Sequence, residues 1–310
     1  MRDIGKKTSM AFLVLGLLAA LPVPGFGQGP PALAFGPMAE VPALADKTVT
    51  VFGQSIHYWG AGSGPVVVLV HGLGSRKEGD WGRVFEPLSK KYRVIALDQL
   101  GFGQSDKPMI DYSIQTYVDF LNEFLHQLKI DKASLMGESL GGWISASYAL
   151  EAANDSKMVP VEKLVLSDAA GLKQDKAIPD LNPSTLAGMR QVLEAVFYNS
   201  SWVNDEILRH ELTERIRANI SYTVHSVVTN PALPKELLDG KLGGIHVPTL
   251  VVWGKQDGLL PVESGERYAQ AIPGAKLVTF DKCGHVPPRE KAPEFVSAVE
   301  TFLDAPATSQ

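Results

Sequence analysis

Residues 66–70 read Val-Val-Val-Leu-Val, an unbroken run of apolar and mostly β-branched side chains. A strand with one face in water alternates apolar and polar residues. An unbroken run has no polar face to offer, so such a strand is buried on both sides, as in a parallel sheet covered by helices. Similar runs recur at 92–97, 133–136, 164–167, 249–253 and 277–280. Helical periodicity lies between them. Over 113–128, Ile114, Tyr117, Val118, Leu121, Phe124, Leu125 and Leu128 share one face. Residues 140–151 and 293–303 predict two more helices, the second with a proline near its start. Residues 48–51 and 55–59, flanking Gly53-Gln54, predict a hairpin ahead of the first parallel strand. Strands alternating with helices specify an α/β fold with a mostly parallel, doubly wound sheet.

The alternation lapses between about 173 and 242. Leu186, Met189, Val192, Leu193, Val196 and Phe197 recur at helical spacing, as do Ile207, Leu208, Leu212, Ile216 and Ile220. So long a helical stretch exceeds one crossover. It predicts a helical cap, 173–242, inserted after the sixth strand and seated over the strand ends, with a core built from 41–172 and 243–305. At the start of the chain, Arg2, Lys6 and Lys7 precede an uncharged apolar run over 10–21 that Pro22 and Pro24 break. A bilayer span needs ~20 apolar residues. The run instead has the length of a signal-peptide core. The expectation is a signal peptide over 1–27, export to the periplasm or beyond, and a flexible arm over 28–40; an N-terminal membrane anchor is the alternative. The net charge of −5 offers no basic surplus for nucleic acid. Cys283, the single cysteine, can form no intrachain disulfide, and no Cys/His array suggests a metal site.

Gly137-Glu138-Ser139-Leu140-Gly141 follows a predicted strand and opens a predicted helix. That is the setting of G-x-S-x-G, in which small flanking residues let a sharp turn fold back and leave the serine Oγ clear of the sheet. Serine needs a base to act as a nucleophile. Among seven histidines, His285 lies just past the strand 277–280, after Gly284. His71 also ends a strand and is expected to prop a neighbouring loop. The base needs an orienting acid. Asp257, past the strand 249–253, is the expected partner, and Asp168, past 164–167, is its rival.

The order Ser139, Asp257, His285 resembles that of the α/β-hydrolase superfamily. The resemblance runs over roughly 41–303. It rests also on His71-Gly72-Leu73-Gly74, on Asp98-Gln99-Leu100-Gly101-Phe102-Gly103-Gln104-Ser105, and on Gly254 through Asp257 and Gly284-His285. It implies that 173–242 is the lid of the fold. It also implies an oxyanion hole from the backbone N–H groups of Leu73 and Leu140, and a structural role for Asp98. Relatives that open epoxides or displace halide carry Asp at the elbow. Ser139 therefore implies an acyl-enzyme, with no metal and no cofactor. The expected substrate is a small to medium carboxylic ester. The alternative is a C–C bond hydrolase of ring-fission-type diketones: residues 280–285 resemble the corresponding stretch of those enzymes, but Val286 stands where they usually carry Trp, and their oxyanion loop is typically richer in glycine. A ligand-binding module with slow turnover is a reading of a different class. Trp143, Phe197 and Trp202 are the candidate pocket residues.

Overall fold

The computed structural model describes residues 46–306; the expected signal peptide, 1–27, and arm, 28–40, lie outside them. Its strands are β1 (Lys47–Val51), β2 (Gln54–Ala61), β3 (Val66–Val70), β4 (Arg93–Leu97), β5 (Ala133–Glu138), β6 (Val161–Ser167), β7 (Thr249–Gly254) and β8 (Lys276–Phe280). They form one sheet in the order β1-β2-β4-β3-β5-β6-β7-β8. β2 is antiparallel to β1 and β4, and every pairing from β4 to β8 is parallel. The expected mostly parallel α/β sheet is therefore present. The hairpin turns one residue earlier than expected. Val51 pairs with Gln54, so Phe52-Gly53 is the turn. Both residues have positive φ, 46° and 78°, the combination that suits the twist of a tight hairpin.

β3 shows why its sequence has no polar face. Val68 and Val70 pack with Tyr117, Val118 and Ile144 on one side. Val67 and Leu69 pack with Trp81, Phe85, Phe295 and Val299 on the other. The first layer is made by helices Ile114–Gln127 and Leu140–Ala152, the second by Lys77–Trp81, Phe85–Ser89 and Ala292–Asp304. Residues 140–149 of helix Leu140–Ala152 are all buried, as expected of a helix without a polar stripe.

Helical insertions follow β6, where the cap was expected. Helix Leu186–Val196 is capped by the Thr185 hydroxyl and helix Asp205–Arg217 by the Asn204 amide oxygen. The second amphipathic stretch is not one helix through Ile220. It stops at Arg217, Asn219 turns through φ 51°, and Ile220 is buried in the main core ahead of helix Ser221–Thr229. Met189, Leu193, Phe197, Val203, Ile207 and Leu208 form a separate apolar cluster that includes Val286. Among the described residues no helix is long and apolar enough to cross a membrane.

The helix Leu140–Ala152 can approach the sheet only through its glycines. A Cβ on Gly141 would collide with the backbone oxygens of Val70 and His71, and one on Gly137 with the backbone of Gly141. These are backbone atoms of buried elements and cannot step aside. Gly141→Ala is therefore expected to yield no soluble folded protein. Recovery of the variant with a wild-type melting curve would refute that packing.

Candidate active site

Ser139, Asp257 and His285 come from the C-terminal ends of β5, β7 and β8, where open parallel sheets bind their ligands. Ser139 is the residue before helix Leu140–Ala152 and has φ 50°, ψ −114°. Its N–H donates to Ser167 O (2.9 Å), and its carbonyl accepts from Ala170 N (3.0 Å) and Trp143 N (3.1 Å). The elbow is thus pinned to the end of β6 as well as to its own helix.

His285 is buried, and its Nδ1 lies 2.7 Å from Asp257 Oδ2. Asp257 Oδ1 accepts from Leu259 N (2.8 Å) and Leu260 N (3.0 Å). With Nδ1 donating to a carboxylate, Nε2 is left free to accept a proton. Nε2 lies 3.5 Å from Glu138 Oε1. Among the described residues no hydrogen bond joins it to Ser139 Oγ, a contact that often tightens only when substrate is bound.

The loop after β3, expected to carry one oxyanion-hole N–H, is braced from beneath. His71 Nε2 accepts from Gln99 N (3.0 Å), which leaves its proton on Nδ1, 2.8 Å from Gly72 O. Gly72 N donates to Asp80 Oδ2 (2.8 Å), and Ser75 Oγ to Asp80 Oδ1 (2.6 Å). The N–H groups of Leu73 and Leu140 have no partner among the described residues. Leu140 N–H is the first of its helix, a group with no acceptor within the helix. Asp98 holds Lys77 Nζ (2.7 Å) and the N–H groups of Lys77 and Gln104. Burial opposes its ionisation, but Lys77 and the Gln104 N–H hold the carboxyl below the usual range. Its partners are structural, as expected.

The helical insertion after β6 holds the Asp257 and His285 loops directly. The last turn of helix Leu186–Val196 leaves carbonyls unpaired within the helix. Ala195 O accepts from Gly258 N (3.0 Å) and Val196 O from His285 N (2.7 Å). Glu290 adds a second tie. Its carboxylate accepts from Gly284 N (2.8 Å), Tyr198 N (3.0 Å) and Asn199 N (3.3 Å). Burial nevertheless pushes its pKa up.

The candidate pocket residues belong to two packing clusters. Trp143 lies in the main core and donates through Nε1 to Glu236 O (3.2 Å). Phe197 and Trp202 meet edge to face in the cap, ring centroids 5.2 Å apart, with Arg289 over the first and Arg83 over the second.

Sequence reasoning overlooked Glu138 and Glu290. Glu138 occupies the variable position of the G-x-S-x-G motif, and an acid there was the available signal. Its burial, then Asp80, Asp168 and Asp257 nearby, push its carboxyl far above the usual range. Asp168, the rival acid, is also fully buried; burial and the neighbouring Asp257 raise its pKa strongly. Burial and the same acids push the Cys283 thiol up as well.

A family model described as alpha/beta hydrolase fold matches residues 65–292. The chain belongs to that family. An uncharacterised Mycobacterium tuberculosis protein is 31% identical, covering 85% of this chain and 82% of its own. The 2-hydroxy-6-oxo-2,4-heptadienoate hydrolase of Pseudomonas putida is 30% identical over 86% of this chain and 99% of its own. The solved meta-cleavage product hydrolase of Pseudomonas fluorescens IP01 has a TM-score of 0.75 at 28% identity, covering 83% and 97%.

The two Pseudomonas hydrolases correct the expectation of carboxylic-ester hydrolysis: both act on ring-fission (meta-cleavage) products, the substrate class held as the alternative. The physical reason is that the ranking leaned on two packing positions. Val286 is buried in the cap cluster against Met189, Leu193 and Phe197. The loop needs its glycine at Gly72, where a Cβ would collide with Glu138 Oε2.

Glu138 gives a pH test. A carboxyl raised in the folded state stabilises the fold below its unfolded value, about 4.3. That contribution is lost as pH climbs toward the folded value. Glutamine stays neutral throughout. The melting temperature of Glu138→Gln is expected to match wild type near pH 4.5 and to exceed it by several degrees near pH 8. A difference that does not grow with pH would mean that Glu138 is ionised in the native protein.

Proposed function

We propose that the chain is a serine-type hydrolase that cleaves the C–C bond beside a ketone in ring-fission products of the 2-hydroxy-6-oxo-dienoate kind. The observation that carries this reading is the near full-length match to the Pseudomonas putida hydrolase of that substrate class. Matches of 30% and 31% to two further hydrolases of ring-fission products support it.

Asp257 orients His285 through Nδ1, and Nε2 takes the proton from Ser139 Oγ. The alkoxide adds to the ketone carbon, and Leu73 N–H and Leu140 N–H receive the oxyanion. A carbon leaving group needs an electron sink. The 2-hydroxy-diene supplies one after tautomerising to its 2-oxo form: the electron pair of the broken bond moves into the conjugated ketone. His285 returns its proton to that product. Water, deprotonated by His285, then attacks the acyl-serine, releases a carboxylic acid and restores Ser139. In this reading residues 173–242 cover the substrate. Residues 1–27 direct export, which the mass of the mature N-terminus would check.

The direct assay is loss of dienolate absorbance with formation of a 2-hydroxydienoate and a carboxylic acid in equal amounts. Wild type is expected to turn over, and Ser139→Ala to lose roughly 10⁴–10⁶ in kcat with its fold intact. A wild-type enzyme that leaves dienoates of varied side chain untouched would overturn the assignment.

A further inference from the structure

Two strand ends deliver two acids to one histidine. Asp257 follows β7 and Asp168 follows β6, and one ligand-type atom each from Asp168, Asp257 and His285 lies within 4.8 Å of the others. All three residues are buried. Asp168 has φ 41°, a left-handed conformation that Asp and Asn tolerate better than other L-residues. Its N–H is held by Val252 O (3.0 Å). Its Oδ1 accepts from Gly254 N (3.0 Å), and Ser167 Oγ reaches its Oδ2 at 3.3 Å.

We propose that Asp168 and Asp257 share one proton and form a two-carboxyl relay behind His285, with Asp168 as the proton-holding positioning residue and reserve acid. The inference rests on Asp257–His285 as the acid–base pair and is independent of the bond cleaved. Two buried carboxyls with oxygens within 4.8 Å of each other cannot both ionise cheaply, so one retains a proton. The donors around them decide which. Asp257 receives two backbone N–H groups and the imidazole Nδ1–H. Asp168 receives one backbone N–H and one long hydroxyl contact. The charge therefore rests on Asp257, and Asp168 donates its O–H to it.

The strong upward shift of Asp168, from burial first and Asp257 second, agrees with this. The other titratable groups facing the pair are His285 and Cys283 on the loop after β8 and Glu138 at the end of β5. A neutral donor on Asp257 withdraws charge from the acid that orients the base. Should Asp257 lose its charge, Asp168 is placed to ionise and take over.

The test uses the rate at which a fluorophosphonate labels Ser139 in full-length protein, measured against pH. This readout does not depend on dienoate turnover. Absence of labelling in wild type would refute the serine reading itself, whereas the relay is judged on the ranking of variants. Asp168→Asn keeps a neutral N–H donor and is expected to label within about threefold of wild type.

Asp257→Asn is expected to lose far less than the ~10⁴ that an unsupported triad loses. Its rate should climb at alkaline pH as Asp168 ionises. The double variant should lose that climb and fall at least tenfold further, a non-additivity that an independent structural residue does not produce. Equal effects of Asp168→Asn in both backgrounds, with an unchanged pH profile, would overturn the proposal. If the variants fail to fold, neutron diffraction of the wild type decides the question: a deuteron between the two carboxyls is expected, and its absence would refute the relay.

Discussion

Ser139 is held at φ 50°, ψ −114°, a backbone state that costs an L-residue on the order of 1–3 kcal/mol. It persists because both its backbone groups are engaged, N–H to Ser167 O and carbonyl to Ala170 N and Trp143 N. Small residues on either side make the turn feasible. Gly142 lies against Ala169 beyond β6, and Gly141 lies against the end of β3. One turn thus sets the distances between β3, β5 and β6, and with them the spacing of Ser139, the loop after β3 and Asp168. The strain thus falls on the residue that the proposed mechanism makes the nucleophile.

The cap is not a separate lid hinged onto this frame. Its first helix ends with carbonyls that need donors, and the loops of Asp257 and His285 supply them. Glu290 closes the same seam from the other side, with donors from the cap at Tyr198 and Asn199 and from the histidine loop at Gly284. Buried backbone groups must be paired somewhere. Here the pairing that completes a helix also fixes the backbone of His285, the proposed base. A change in the cap that shifts Val196 therefore moves His285 even without touching substrate.

Much of this was legible in the sequence, and the reasons for the rest are physical. The parallel strands were readable because β3 and the inner stretches of β4, β6 and β7 are buried on both faces and apolar, with polar residues only toward their ends. The elbow was readable because close backbone approach demands glycine at fixed offsets. Asp257 and His285 were readable because both follow strands in the expected order. Helices Lys77–Trp81 and Pro287–Glu290 are too short to show a period, and Val262–Ala271 carries little apolar surface to show one. The break after Arg217 was hidden because Ile220 continues the apolar spacing while packing into a different core. Glu138 and Asp168 meet the other acids around the site only after folding, so the upward shift of their carboxyls has no sequence signature. Val286 weighed against C–C cleavage because such hydrolases usually carry Trp there, yet its side chain packs the cap cluster.

Rapid-quench mass spectrometry of the wild type mixed with a 2-hydroxy-6-oxo-dienoate tests the acyl-serine route most directly. Cleavage through Ser139 requires an early burst of dienol product and a covalent mass increase equal to the acyl fragment, mapping to the peptide that contains Ser139. Full turnover with no acyl adduct at any time, or an adduct on another residue, would contradict it.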